Sequence, residues 1–214
     1  NSSNRYESFI ERKQQTMPLM ILPFFILFLM IVSMLRNRSQ RSFQDKQDSF
    51  WEKEQRANTV RKQDITNLDY IEIPLDTFPI GQFPDQKLET LEDTLRSLRS
   101  RKILNLSGIS NTDLKLQYGA ANLTFLSECD TNFISLAKTI TAYGERLAEL
   151  GHWNEAVRVL EFGVSCKTDV SKNYILLGTL YQEHGEDSKL KQLAHTVSGM
   201  DLMLKDAILE KLAP

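Results

Sequence analysis

The sequence predicts an all-α chain: one transmembrane helix, then a domain of helical hairpins, with a short extended, proline-containing segment between them. Three observations predict it. Met17–Leu35 is an uncharged apolar run, apolar residues beyond Gln86 return at spacings of three and four, and the pattern around Gly144 recurs around Gly178. With 214 residues, two cysteines and a formal charge of −2, the chain suits one modest domain plus an anchor rather than two large domains.

Twelve of the nineteen residues in the run 17–35 are Leu, Ile, Phe or Val. As a helix the run spans about 28 Å, close to the ~30 Å hydrocarbon core of a bilayer. Pro18 falls where a helix start tolerates it, and Pro23 bends the first turns. The run ends in Met34-Leu35-Arg36-Asn37-Arg38, with no small-residue cleavage site of the kind a secretory leader carries. These features predict a single-pass membrane protein that contacts the lipid bilayer through residues 17–35, after an N-terminal flank of residues 1–16. Basic residues are more numerous after the run than before it, which places the C-terminal domain on the cytoplasmic side.

Residues 36–69 read as a basic juxtamembrane helix. From Arg36 to Gln63 there are eight Lys/Arg against four Asp/Glu, and the stretch lacks Gly and Pro. Phe43, Phe50 and Ala57 recur at every seventh position, a stripe suited to docking on the domain rather than to an isolated coiled coil. Acids interleave with the bases and no nucleic-acid reading motif accompanies them, so no nucleic-acid partner is expected. Residues 70–85 then carry three prolines and a glycine, which forbid a regular helix. Ile71, Ile73 and Leu75 alternate, predicting an extended stretch laid along the body.

Residues 86–214 make the helical domain. Leu88, Leu91, Leu95 and Leu98 mark a helix to about Lys102 with Asp85 as its N-cap. Asp113 to about Glu128 reads as a further short helix broken near Gly119, and a longer face starts at Phe133. A single shift of the chain lays Gly144 on Gly178, Leu147 on Tyr181, Glu149 on Glu183 and Gly151 on Gly185. That shift is the helix-turn-helix period of about 34 residues that marks one solenoid class. Repeats are expected at about 137–170 and 171–204, with a capping helix over 201–212.

Through Gly144, Leu147, Gly151, Ala156 and Leu160, then Leu177, Gly178, Tyr181, Gly185 and Ala194, the chain resembles the tetratricopeptide repeat family. The likeness runs from Phe133 to Val197, under a third of the chain. It lacks the family's early Trp, has Thr168 where a proline often closes the repeat, and has Leu190 where copy two should be small. The resemblance implies a groove lined by the first helix of each hairpin that binds a protein or peptide partner. On that analogy the groove-facing residues are Lys138, Thr141, Glu145, Lys172, Thr179 and Gln182. The family's Lys/Asn carboxylate clamp is not reproduced.

No catalytic pattern stands out: there is no phosphate loop, GxSxG, HExxH or calcium loop. His152, His184 and His195 are not spaced as shared metal ligands, and Cys129 and Cys166 are not paired as CxxC. No cofactor and no metal are expected. The expected function is a non-catalytic, membrane-anchored scaffold or adaptor. The alternatives are a structural accessory subunit of a membrane complex, held by the anchor with Phe43, Phe50 and Trp51, and, further off, an enzyme with an unfamiliar site.

Overall fold

The computed structural model describes residues 23–36, 44 and 47–213, and every regular element among them is helical. The chain divides into two compact units, Asn1–Arg56 and Ala57–Pro214.

In the first unit, residues 23–36 and 47–56 are helical. The first of these holds most of the apolar run, and it corrects the anchor expected from sequence. Among the described residues, no helix is long and apolar enough to cross a membrane. The described helical residues 23–36 span about 21 Å at ~1.5 Å per residue, against a ~30 Å core. Residues 17–22, the start of the expected span, lie outside the described residues, as does the flank 1–16. The single-pass assignment and the membrane localisation with a cytoplasmic domain therefore do not stand. Phe50 and Trp51 meet edge to face at 5.6 Å, and both are exposed; Phe43 lies outside the described residues.

The second unit begins with the last turn of a helix, which stops at residue 59 rather than running to 69. The reason is competition for the backbone. The Gln63 N–H donates to the Tyr118 carbonyl (2.9 Å), and the Asn122 side chain donates to the Gln63 carbonyl (2.8 Å). These bonds draw 60–66 onto the body as a strap. Residues 69–74 take no regular structure and Pro74 (φ −82°, ψ 64°) departs from the extended backbone expected of this segment, while the Ile71 N–H donates to the Ile103 carbonyl (2.9 Å). Ile73, Leu75 and Phe78 are buried, with a short 3-10 turn at Leu75–Thr77.

A run of α-helices follows. α1 is Gln86–Arg99, and the Asp85 side chain accepts from the Leu88 N–H, satisfying one of its first-turn donors. α2 is Asn111–Tyr118, ended by Gly119 at φ +87°. α3, Leu123–Glu149, starts well ahead of the face that begins at Phe133, because Leu126 and Cys129 pack into a second small core with Leu104, Leu106 and Leu114. α4 is Trp153–Ser165, α5 Ser171–Glu183, α6 Asp187–Ser198 and α7 Lys205–Leu212. α7 begins at Lys205 rather than Asp201, so Leu204 is exposed while Ile208 and Leu212 are buried.

Helices α3 to α7 repeat their geometry with the period read from the glycines. α3 and α5 end at Glu149 and Glu183, α4 and α6 start at Trp153 and Asp187, and α5 and α7 start at Ser171 and Lys205. The turns use the same bonds: the His152 N–H donates to the Leu147 carbonyl and the Glu186 N–H to the Tyr181 carbonyl, both at 2.9 Å. Gly151 (φ +83°) and Gly185 (φ +71°) take the left-handed conformation that closes each first helix. Within the hairpins, a Cβ on Gly144 would meet the Leu160 side chain at 2.7 Å, so glycine sets the close approach of α3 and α4. A Cβ on Gly178 would likewise run into Leu212 of α7. The outer face of α7 carries Asp206, Glu210 and Lys211, all exposed, the polar surface that closes a helical array.

Candidate functional site: the α3–α5 face

Ile134, Lys138, Glu145 and Glu149, at helical spacing, open one side of α3 to solvent in whole or part. On α5 the corresponding residues are Lys172, Thr179 and Gln182, all exposed. The sequence-derived candidates separate on this geometry. Glu145 and Lys172 come together, with Nζ 2.5 Å from Oε1, so the pair bridges the first helix of one hairpin to that of the next. Lys138 and Thr179 lie on the surface, where the Thr179 hydroxyl donates back to the Ile175 carbonyl. Gln182 donates to the Ala213 carbonyl (3.3 Å), tying the end of the chain to α5. Thr141 does not belong to the face. It is buried, with its hydroxyl donating to the Ala137 carbonyl at 2.8 Å. Its position on α3 lies between the line of Ile134 and Glu145, which opens to solvent, and that of Ala137 and Gly144, which is buried.

The face is held from behind by two polar clusters. Arg146 grips Asp85 with Nε (3.1 Å) and a terminal nitrogen (2.5 Å), and also pairs with Glu149. The Arg146 guanidinium and the Leu88 N–H hold the Asp85 carboxyl down at about 2. Deeper in, Glu92 is buried and accepts from the Tyr143 hydroxyl, the Gly81 N–H and Arg96. Aromatic stacking also joins the turns. His152 lies flat on Phe83 (3.6 Å between centroids), and His184 lies on Trp153 (3.9 Å). The two histidines are therefore packing groups linking the 70–85 segment, the first turn and the second.

A depressed folded-state pKa fixes the sign of one pH effect. Asp85 contributes stability fully above its unfolded value of about 3.8, and that contribution falls as pH drops toward about 2. Asp85→Asn keeps a capping side chain but loses the charge. The expected result is that wild type is more stable than the variant at pH 6 in urea titrations, and that the gap largely closes by pH 2. An equal gap at both pH values would show that the ion pair does not act.

Sequence reasoning missed Glu92, although a signal existed: it sits on the Leu88–Leu95 stripe, a carboxylate on an apolar face. No group of His, Cys, Asp or Glu among the described residues is placed to hold a metal ion. Cys129 is buried and Cys166 half-buried, and burial pushes both thiols up, Cys166 to about 11. A raised thiol pKa is the reverse of the shift that activates a cysteine nucleophile. The chain matches no family model, and no curated protein and no solved structure is detectably similar to it.

Proposed function

We propose that this chain is a non-catalytic adaptor that binds a protein or peptide on the α3–α5 face, using a tetratricopeptide-like array. The observation that carries the reading is the periodic recurrence of helix ends and turn bonds, which sets α3 and α5 side by side. Stacked hairpins of this kind present the first helix of each pair as a continuous surface. Here that surface is mixed in charge, with Ile134 and Lys138 exposed on α3, Thr179 exposed on α5, and the Glu145–Lys172 bridge joining the two helices. A peptide partner would run across the bridge and exchange ion pairs with it.

The test uses the full chain to select binders from a random displayed peptide library. A photo-crosslinking residue at Lys138 or Thr179 is expected to trap the selected peptide, whereas the same residue at Lys191 on α6 is not. Trapping from Lys191 alone, or no enriched peptide, would count against the reading.

A second reading, a structural subunit of a larger complex, is favoured by the helix at 23–36. Its side chains are all exposed, Phe24, Phe25 and Phe28 among them, and an apolar surface of this kind marks a contact with another molecule. Replacing those three phenylalanines with serine should release the chain from its complex in size-exclusion chromatography. Retention of the complex would remove this reading.

A further inference from the structure

A groove of about 640 Å3 opens on the second unit, away from the α3–α5 face, between the strap and the start of α3. Its apolar floor is made by Ile65, Tyr70 and Phe125, and Phe125 is exposed. A smaller cavity of about 390 Å3 adjoins it, since Tyr70 and Lys102 line both. The charge along this path is lopsided. Lys62 and Lys102 line the first part, Arg99 and Arg101 the second, against the two carboxylates of Asp64 and Glu72. Asp64 is in addition occupied, because its carboxylate accepts both the N–H and the hydroxyl of Thr66. Arg99 also reaches the Asp76 carboxylate at 3.6 Å, but both side chains are exposed and such a pair is readily exchanged. Among the described residues, Lys62 and Lys102 have no carboxylate partner, and the Lys102 ammonium instead lies over the Tyr70 ring at 4.7 Å. A chain of net charge −2 thus lines this path with more cations than carboxylates, over an apolar floor.

We propose that this path is a second docking site, one that takes an acidic peptide bearing apolar side chains. Apolar side chains of the peptide enter between Ile65, Tyr70 and Phe125, while its carboxylates meet Lys62 and Lys102 and then Arg99 and Arg101. Charge complementarity of this kind selects partners and speeds encounter more than it adds affinity. A single-stranded nucleic acid fits less well. It needs successive aromatic platforms along a continuous basic track, and here Asp64 and Glu72 interrupt the track.

The probe is a pool of fluorescent peptides alternating Glu with Leu or Phe, titrated into the full chain and followed by anisotropy. A matching Lys pool and an oligothymidylate are the controls. Binding of the acidic pool is expected, weakening with salt. It should fall about tenfold in Lys102→Glu and also in Phe125→Ser, two surface changes whose folding is checked by circular dichroism. Lys191→Glu, an exposed change on α6, should leave it unchanged. Crosslinking from Lys138 and Thr179 reads the α3–α5 face separately, so failure here and failure of the adaptor reading can be told apart. No binding by the acidic pool, equal binding by the Lys pool or by Lys102→Glu, or tighter binding of the oligonucleotide would overturn the proposal.

Discussion

Gly119→Ala is expected to destabilise the fold by about 3 kcal/mol or more and to free the strap at 60–66. Two costs combine. Gly119 has φ +87° and ψ 144°, a region open in practice only to glycine, and a side chain there costs on the order of 1–3 kcal/mol. A Cβ at that position would also lie 2.5 Å from the Arg61 carbonyl oxygen and 2.8 Å from the Lys62 Cα. Both are backbone atoms, so no rotamer change relieves the overlap and the strap itself must move, at about 1–3 kcal/mol more. Moving it breaks the bonds of Gln63 to Tyr118 and Asn122. Urea titration measures the loss, and trypsin cleavage after Arg61 and Lys62 reports release. Gly151→Ala is the comparison without a clash: its φ of +83° belongs to the left-handed helix closure, which a side chain enters at smaller cost, and nothing lies within 4 Å of the added Cβ. If the two variants lose the same stability, the close approach of the strap contributes nothing.

That contrast also shows what a sequence reveals and what it hides. Gly151 and Gly185 are readable because local rules require them: each ends an amphipathic helix and each needs a positive φ. Asp85 is readable for the same reason, standing one residue ahead of the helix that it caps. Gly119 looks like the same kind of helix terminator, yet its tightest constraint comes from Arg61, which is remote in sequence. The strap shows the same limit from the other side. Residues 60–63 favour helix by composition, but Tyr118 and Asn122 take their backbone groups instead.

The surface residues are less legible still. A periodic shift finds corresponding positions, but it does not say which of them turn inward. Analogy places Thr141 on the groove, and it is buried, whereas Glu145 and Lys172 are joined by a bond that spacing alone does not reveal. The floor of the second groove combines Tyr70 from the 70–85 segment with Phe125 from α3. Side chains that far apart in sequence meet only through the tertiary fold. The apolar run misleads for another reason, since composition makes it span-like while the described helix is too short to cross.

Glu92→Ala is expected to be the most damaging single change in the α1–α3 contact, costing about 3–5 kcal/mol. Glu92 is only 3 % exposed, and its two oxygens serve three elements. Oε1 accepts from the Tyr143 hydroxyl of α3 (3.0 Å), and Oε2 from the Gly81 N–H (2.9 Å) and Arg96 (3.3 Å). Truncation strands the Tyr143 hydroxyl and the Gly81 N–H without acceptors, at about 1–3 kcal/mol each, and leaves a small cavity as well. Tyr143→Phe removes one donor and leaves the carboxylate its other two, so it should cost only about 1 kcal/mol. Burial, then the negative charge of Glu92, pushes the Tyr143 hydroxyl above the ordinary tyrosine range, so it remains a donor through mildly alkaline conditions. The double variant should therefore lose less than the sum of the singles, because the stranded hydroxyl is gone. Additive losses would show that the two groups do not act through their bond. Amide exchange carries the second readout. In Glu92→Ala, protection should drop in residues 78–83, where Gly81 is no longer held, before it drops in α4 and α5. A uniform loss across the domain would mean that Glu92 supports the whole core rather than the junction of the 70–85 segment with α1 and α3.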